Sequence, residues 1–159
     1  MSGIGSLGTL LEHTERQRDA VLAQVQRATQ AVGSAVRQAE QLHEYRGQYD
    51  QRWQTQFRAQ GAAEIVQCYQ SFNDRLSFAI AQQEQAVDAA RAQLDRLRAL
   101  LQQQEIKVAS IRKLIERRLA EQSLAASQRD QKQTDEMAAR SARYGPQAAA
   151  AASSSWTPL

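Results

Sequence analysis

The stretch FRAQGAAEIVQC, residues 57–68, decides the fold of this chain. It is the place where a long helical pattern changes phase, and Gly61 sits inside it. From Thr9 to Tyr144 there is no proline, and glycine interrupts only at Gly33, Gly47 and Gly61. Alanine, glutamine, glutamate, arginine and leucine dominate, all good helix formers, so strands have no room.

Working outward from Gly61, each side shows a heptad. Alternate steps of three and four from Leu11 through Val21, Val25 and Leu42 to Trp53 visit thirteen positions, of which ten are apolar. The same walk from Ile80 through Val87, Leu94 and Val108 to Ile115 visits eleven, of which nine are apolar. Sustained heptads with charged flanks indicate a coiled coil. The alanines keep the first seam thin, so each layer buries little and the pair is only moderately stable. The expectation is all-α: a long antiparallel two-helix coiled-coil hairpin with an overhanging second helix, built from helix 1 over about 6–59, a turn near 60–63 and helix 2 over about 64–143. One unbroken rod pairing with a second copy also satisfies the heptads.

The aromatic residues bear on that choice. Gln38, Leu42, Tyr45 and Tyr49 follow a spacing of four, three, four, and Phe72, Leu76, Ala79 and Gln83 repeat it. In a hairpin turning near residue 61, facing positions keep a constant index sum. The pairs 49 with 72, 45 with 76, 42 with 79 and 38 with 83 share one, so the two stripes meet at the same height. Tyr45 and Gln38 fall one position off the seam and should look partly outward. Such a stripe either caps the seam near the turn or forms an apolar patch for a partner.

Composition narrows the class. The chain has 159 residues, is 6% aromatic and carries 25 glutamines, which favours an extended form over a thick core. Its 20 basic and 17 acidic residues alternate along the chain, whereas a nucleic-acid surface needs basic residues segregated to one side. A single cysteine, Cys68, allows no internal disulfide and fits a reducing compartment. No run reaches the roughly 18 apolar residues of a membrane span, and MSGIGSLGTLLEH lacks the features of a signal peptide. A soluble cytoplasmic protein is expected.

Chemistry of the catalytic kind is missing. There is no glycine-rich phosphate loop, and His13 and His43 have no ligand partners at metal-binding spacing. No enzyme activity, cofactor, metal or small-molecule substrate is expected.

A helix beginning near Ser6 runs out opposite residue 115, which predicts an overhang of roughly 27 residues, about 40 Å at the helical rise. Lys107 to Arg143 holds nine basic and five acidic residues. A lone polar helix of that length is marginal without a partner. GPQAAAAASSSWTPL then opens with a helix stop, so residues 144–159 read as a disordered Ala/Ser-rich tail.

Three stretches together carry a resemblance: QLHEYRGQYDQRW at 41–53, YQSFNDRLSFAIAQQ at 69–83 and RDQKQTDEMAAR at 129–140. In this order, and at these distances from the turn, residues 7–143 resemble the FliJ family of the bacterial flagellar type III export apparatus. The resemblance implies a hairpin similar to the central shaft subunit of rotary ATPases. It implies partners as well: the hexameric export ATPase and its regulator, the cytoplasmic domain of the membrane export gate, and export chaperones that the protein escorts. It implies a cytoplasmic protein, peripherally associated with the inner membrane at the flagellar base and monomeric when free. Carried over by position, the export-gate patch comprises Gln38, Leu42, Tyr45, Tyr49, Phe72, Leu76, Ala79 and Gln83, with Gln83 standing where some relatives have His. The ATPase-ring contact falls on the overhang, at Arg129, Asp130, Lys132, Asp135, Glu136 and Arg140. On this reading Tyr45 and Tyr49 face a partner or the rim of the seam, while Trp53 supports pairing near the turn. The stalk protein of a virulence injectisome shares this fold, and a dimeric coiled-coil scaffold or chaperone is the alternative from another class.

Overall fold

The computed structural model describes residues 2–57 and 62–152. It consists of α1, Ser2–Arg52, continued by a π-helical segment, Trp53–Phe57, and of α2, Ala63–Ala152. Among the described residues there is no strand, and no helix is long and apolar enough to cross a membrane. The expected turn at Gly61 lies outside the described residues. At the start of α2 the Ala62 carbonyl accepts from the Ile65 and Val66 amides at 3.1 and 3.3 Å. Ala62 is therefore the residue that launches the helix, and Glu64 places a carboxylate in the first turn, where the helix dipole favours it.

The chain divides into two units, residues 9–109 and residues 1–8 with 110–159. In the first, contacts between the helices fix the topology. Gln38 meets Gln83, Tyr45 meets Phe72 and Asp50 meets Tyr69. The index rises on α1 as it falls on α2, so the helices are antiparallel and the unit is a helical hairpin. Every one of the thirteen positions stepped from Leu11, and of the nine stepped from Ile80 to Val108, is buried or half-buried. The buried apolar side chains are Val21, Leu76, Ile80, Val87, Leu94 and Val108, with Val108 only 2% exposed. This is the narrow seam that a two-helix pair allows.

Polar seam positions are handled one at a time. The buried Thr14 hydroxyl donates to the Leu10 carbonyl at 2.8 Å, so no hydroxyl is stranded. Arg18 lays its stem along the seam and turns its guanidinium to Asp19, at 2.9 and 3.0 Å. Gln83 reaches across to α1, where its amide donates to the Ala35 carbonyl at 3.0 Å and to Gln38 Oε1 at 3.2 Å. A buried polar group with its partner on the other helix specifies register. Gln104 differs, since its buried Oε1 has no hydrogen-bond partner among the described residues.

In the second unit α1 starts at Ser2, earlier than the expected residue 6. Ile4 and Leu7 extend the apolar stripe back from Leu11, and both are half-buried. Their burial offsets the entropic cost of Gly3, Gly5 and Gly8 in a helix. Gly3 and Ile4 share a groove with Arg118, Glu121, Gln122 and Ala125, so α2 has a neighbour beyond residue 115, where the sequence alone ends the pairing. Residues 116–145 are nonetheless exposed throughout, Leu119, Leu124, Met137 and Tyr144 included.

α2 also continues through Gly145 and Pro146, where the sequence suggests a stop and a disordered tail. Proline removes one hydrogen bond from the helix, and the five alanines at 148–152 that follow are the best helix formers available. Residues 153–159 of the expected tail lie outside the described residues.

The stranded Gln104 oxygen gives a test. Gln104→Leu removes an unpaired buried acceptor and adds apolar area to the seam, so the substitution is expected to raise the unfolding free energy by about 1–2 kcal/mol, read from urea denaturation followed by circular dichroism. A loss of stability would mean that the amide oxygen is satisfied in solution.

Candidate partner surface on an interhelical aromatic zipper

The π-helical segment begins at Trp53, and the arrangement of rings around that point organises the joined end of the hairpin. Five aromatic side chains alternate between α2 and the first helix with its π-helical continuation. Tyr45 meets Phe72 edge-on, with centroids 6.2 Å apart at 68°. Phe72 lies 4.2 Å from Tyr49, and Tyr49 stacks on Tyr69 at 5.5 Å and 9°. Tyr69 in turn stacks on Trp53 at 4.1 Å and 16°. Each such pair contributes about 0.5–1.5 kcal/mol beyond its area burial. The zipper therefore supplies in large side chains what alanine-rich layers such as Ala28 and Ala35 cannot.

The zipper carries one internal hydrogen bond. The Tyr69 hydroxyl donates to Asp50 Oδ1 at 2.7 Å. That bond, burial, and the negative charge of Asp50 together hold the phenol above its usual value of 10.0, because ionisation breaks the bond and sets a phenolate beside a carboxylate.

The structure brings the eight residues of the expected gate patch onto one region of the hairpin but exposes them unequally. Tyr45 is 48% exposed, and Gln38 is also exposed. Leu42, Tyr49, Phe72, Ala79 and Gln83 are half-buried. Leu76 is 7% exposed and belongs to the seam. Gln38, Leu42, Tyr45 and Gln83, with Gln41, line one shallow concavity, so the accessible part of the patch is mostly on the α1 side. Nearby, His43 Nε2 lies 3.0 Å from Glu84 Oε1 and ties the two helices on a neighbouring face.

Sequence reasoning passed over Tyr69 and Asp50. The signal was present, because stepping back from Ile80 by four, three and four lands on Tyr69. Asp50 is adjacent to Tyr49 and had no feature that marked it.

The six residues Arg129, Asp130, Lys132, Asp135, Glu136 and Arg140 all project into solvent from α2. None makes a side-chain ion pair among the described residues; Thr134 alone bonds back, to the Asp130 carbonyl at 2.9 Å. No group of three or more His, Cys, Asp or Glu among the described residues could hold a metal ion.

A family model described as Flagellar FliJ protein matches residues 3–146, nearly the whole chain. The chain belongs to the FliJ family. Comparisons with curated proteins and with solved structures returned no match. Membership in the FliJ family makes the chain a component of the flagellar export apparatus.

The raised Tyr69 pKa fixes a sign. A group whose folded pKa lies above its unfolded value contributes fully below the unfolded value and loses that contribution as pH rises through the folded one. Unfolding midpoints are expected to fall as pH is raised from about 9 to about 12, and Tyr69→Phe is expected to flatten that fall while costing about 1 kcal/mol at neutral pH. An identical pH dependence in the two proteins would show that the Asp50 bond is not formed in solution.

Proposed function

We propose that this chain is a non-enzymatic stalk of the flagellar export apparatus, one that promotes assembly of the export ATPase ring, links that ring to the membrane export gate and escorts export chaperones. The observation that carries the proposal is the pairing of two unlike surfaces on one chain. Residues 9–109 present an aromatic patch with an exposed edge at Tyr45, and residues 110–159 present a helix exposed from residue 116 to residue 145. An amphipathic edge of this kind suits a protein partner, and a long polar helix with unpaired charges suits a pore or groove that surrounds it.

In this reading the gate takes Gln38, Leu42, Tyr45, Tyr49, Phe72, Ala79 and Gln83, with Leu76 beneath them as support. The ATPase ring takes Arg129, Asp130, Lys132, Asp135, Glu136 and Arg140, charges of both signs that can pair with a ring lined in the complementary order. Because the interhelical rings hold Tyr49 and Phe72 in place before any partner arrives, little ordering entropy is lost on binding. The protein acts in the cytoplasm, against the membrane at the flagellar base.

The deciding experiment adds the purified protein to its cognate export ATPase and follows hexamer formation and ATP hydrolysis. Promotion of both, lost on truncation after Arg118, is the expected result. No effect on either sinks the stalk reading. For the gate, Tyr45→Ala is expected to weaken binding by roughly tenfold with helicity intact and a stability loss confined to the single Tyr45–Phe72 ring pair, about 0.5–1.5 kcal/mol. Leu76→Ala lowers stability together with binding, because Leu76 is part of the seam. Equal binding by Tyr45→Ala and the wild type would remove Tyr45 from the interface.

A further inference from the structure

Charges that mix along the chain separate across the width of the hairpin formed by residues 9–109. Two sets of contacts fix its two long edges. One edge holds Tyr45 against Phe72, beside the concavity of Gln38, Gln41 and Gln83. The other holds His43 against Glu84, in a shallow groove with Glu40, Asp88 and Arg91. In a coiled coil, residues seven apart share a face, so each edge can be followed along both helices.

Residues 10–48 of α1 and 72–107 of α2 contain ten carboxylates. Four on α1 follow the His43 edge: Glu12, Glu15, Asp19 and Glu40. Five on α2 follow it as well: Asp74, Glu84, Asp88, Asp95 and Glu105. The tenth, Glu44, stands on the back of α1. The Tyr45 edge has none. It carries Arg27, Arg75, Arg96 and Lys107 instead, all exposed, whereas the His43 edge sets only Arg91 and Arg98 against its nine acids.

The index sum that aligns Tyr49 with Phe72 brings Arg27 on α1 and Arg96 on α2 to nearly the same height, one on each helix. Gln93 Oε1 accepts from Arg96 Nε at 3.2 Å and from Nη2 at 2.6 Å, which holds that guanidinium along α2. Arg27 makes no side-chain ion pair or hydrogen bond among the described residues. Toward the joined end, the edge next to this pair is made of the exposed small residues Ala31, Ala86 and Ala89. In the other direction lies Leu100, 38% exposed.

We propose that this carboxylate-free edge receives an acidic helix of a partner protein, laid along residues 17–34 of α1 and 86–107 of α2, with Arg27 and Arg96 pairing with its carboxylates. The contact shares no residue with the gate patch or with 129–140, so it rests on neither reading. A helix satisfies its own backbone and can lie in the angle between two others, and the alanines let it approach closely. A basic segment would meet four like charges here. A duplex carries a phosphate charge for every ~1.7 Å of its axis, and cations spread from Arg75 to Lys107 over about 48 Å are too sparse to track it.

The test titrates the full chain, by calorimetry, with a blocked peptide of three Leu-Glu-Ala-Ala-Glu-Ala-Glu repeats, and with a counterpart in which every glutamate is glutamine. Expected is saturable binding of the acidic peptide that weakens as salt is raised, with the glutamine peptide at least about threefold weaker. Arg27→Gln combined with Arg96→Gln is expected to weaken binding roughly fivefold. Arg91→Gln combined with Arg98→Gln removes the same charge from the opposite edge and leaves binding unchanged. No saturation up to about 1 mM peptide, equal affinity for the two peptides, or equal weakening in the two double variants overturns the proposal. Tighter binding of a short DNA duplex would assign the edge to nucleic acid, and self-association abolished by the Arg27 and Arg96 changes would assign it to a second copy. Either result also overturns it. Gate binding by the Arg27 and Arg96 variant is expected to match the wild type, so failure of this edge and failure of the gate reading are separately visible.

Discussion

A helix that pairs with one other helix can hide a single stripe, and everything else on its surface stays in water. That constraint governs this structure. With alanine at many seam positions, each layer hides little area, and among the described residues six apolar side chains are buried. Stability has to be concentrated where larger groups are available. The five-ring zipper from Tyr45 to Trp53 is that concentration, placed where the two helices are nearest in sequence and the entropic cost of bringing them together is least.

The same constraint explains why the zipper is also the candidate surface. Rings too large for a two-helix seam must protrude from it, so Tyr45 remains about half exposed while Tyr49 and Phe72 are held beneath it. Support and contact are then made by one set of side chains at different depths. Gln83 adds a directional element, because its bonds to Ala35 and Gln38 are met in only one register. A slip of one turn would strand its amide and unstack the rings together. The hairpin therefore presents its patch in one arrangement.

Where the sequence was legible, it was legible because the relevant physics is local. The seam period depends on residue spacing along one helix, and every position on the two heptad walks is shielded in the structure. The facing of Tyr49 with Phe72 and of Gln38 with Gln83 followed from arithmetic about a single turn. The start of α1 was missed because three glycines argue locally against a helix, whereas Ile4 and Leu7 find burial only when α2 is present. The end of α2 was missed for a related reason: Gly145 and Pro146 mark a stop in isolation, and a helix already formed on one side with five alanines on the other runs through them.

By itself the sequence determined an all-α chain, the two apolar stripes, the antiparallel hairpin as the natural way to join them, and the group of residues around Tyr45 and Phe72 as the place to look. Periodicity and index arithmetic suffice for these, since each depends on the order of residues along one axis. Depth within the seam was decided by the tertiary structure alone. It placed Leu76 inside and Tyr45 at the rim, tied Tyr69 to Asp50 and left the Gln104 Oε1 without a partner among the described residues. Those outcomes depend on how far each side chain reaches and on what the opposing helix sets before it, and spacing along a single helix carries neither quantity.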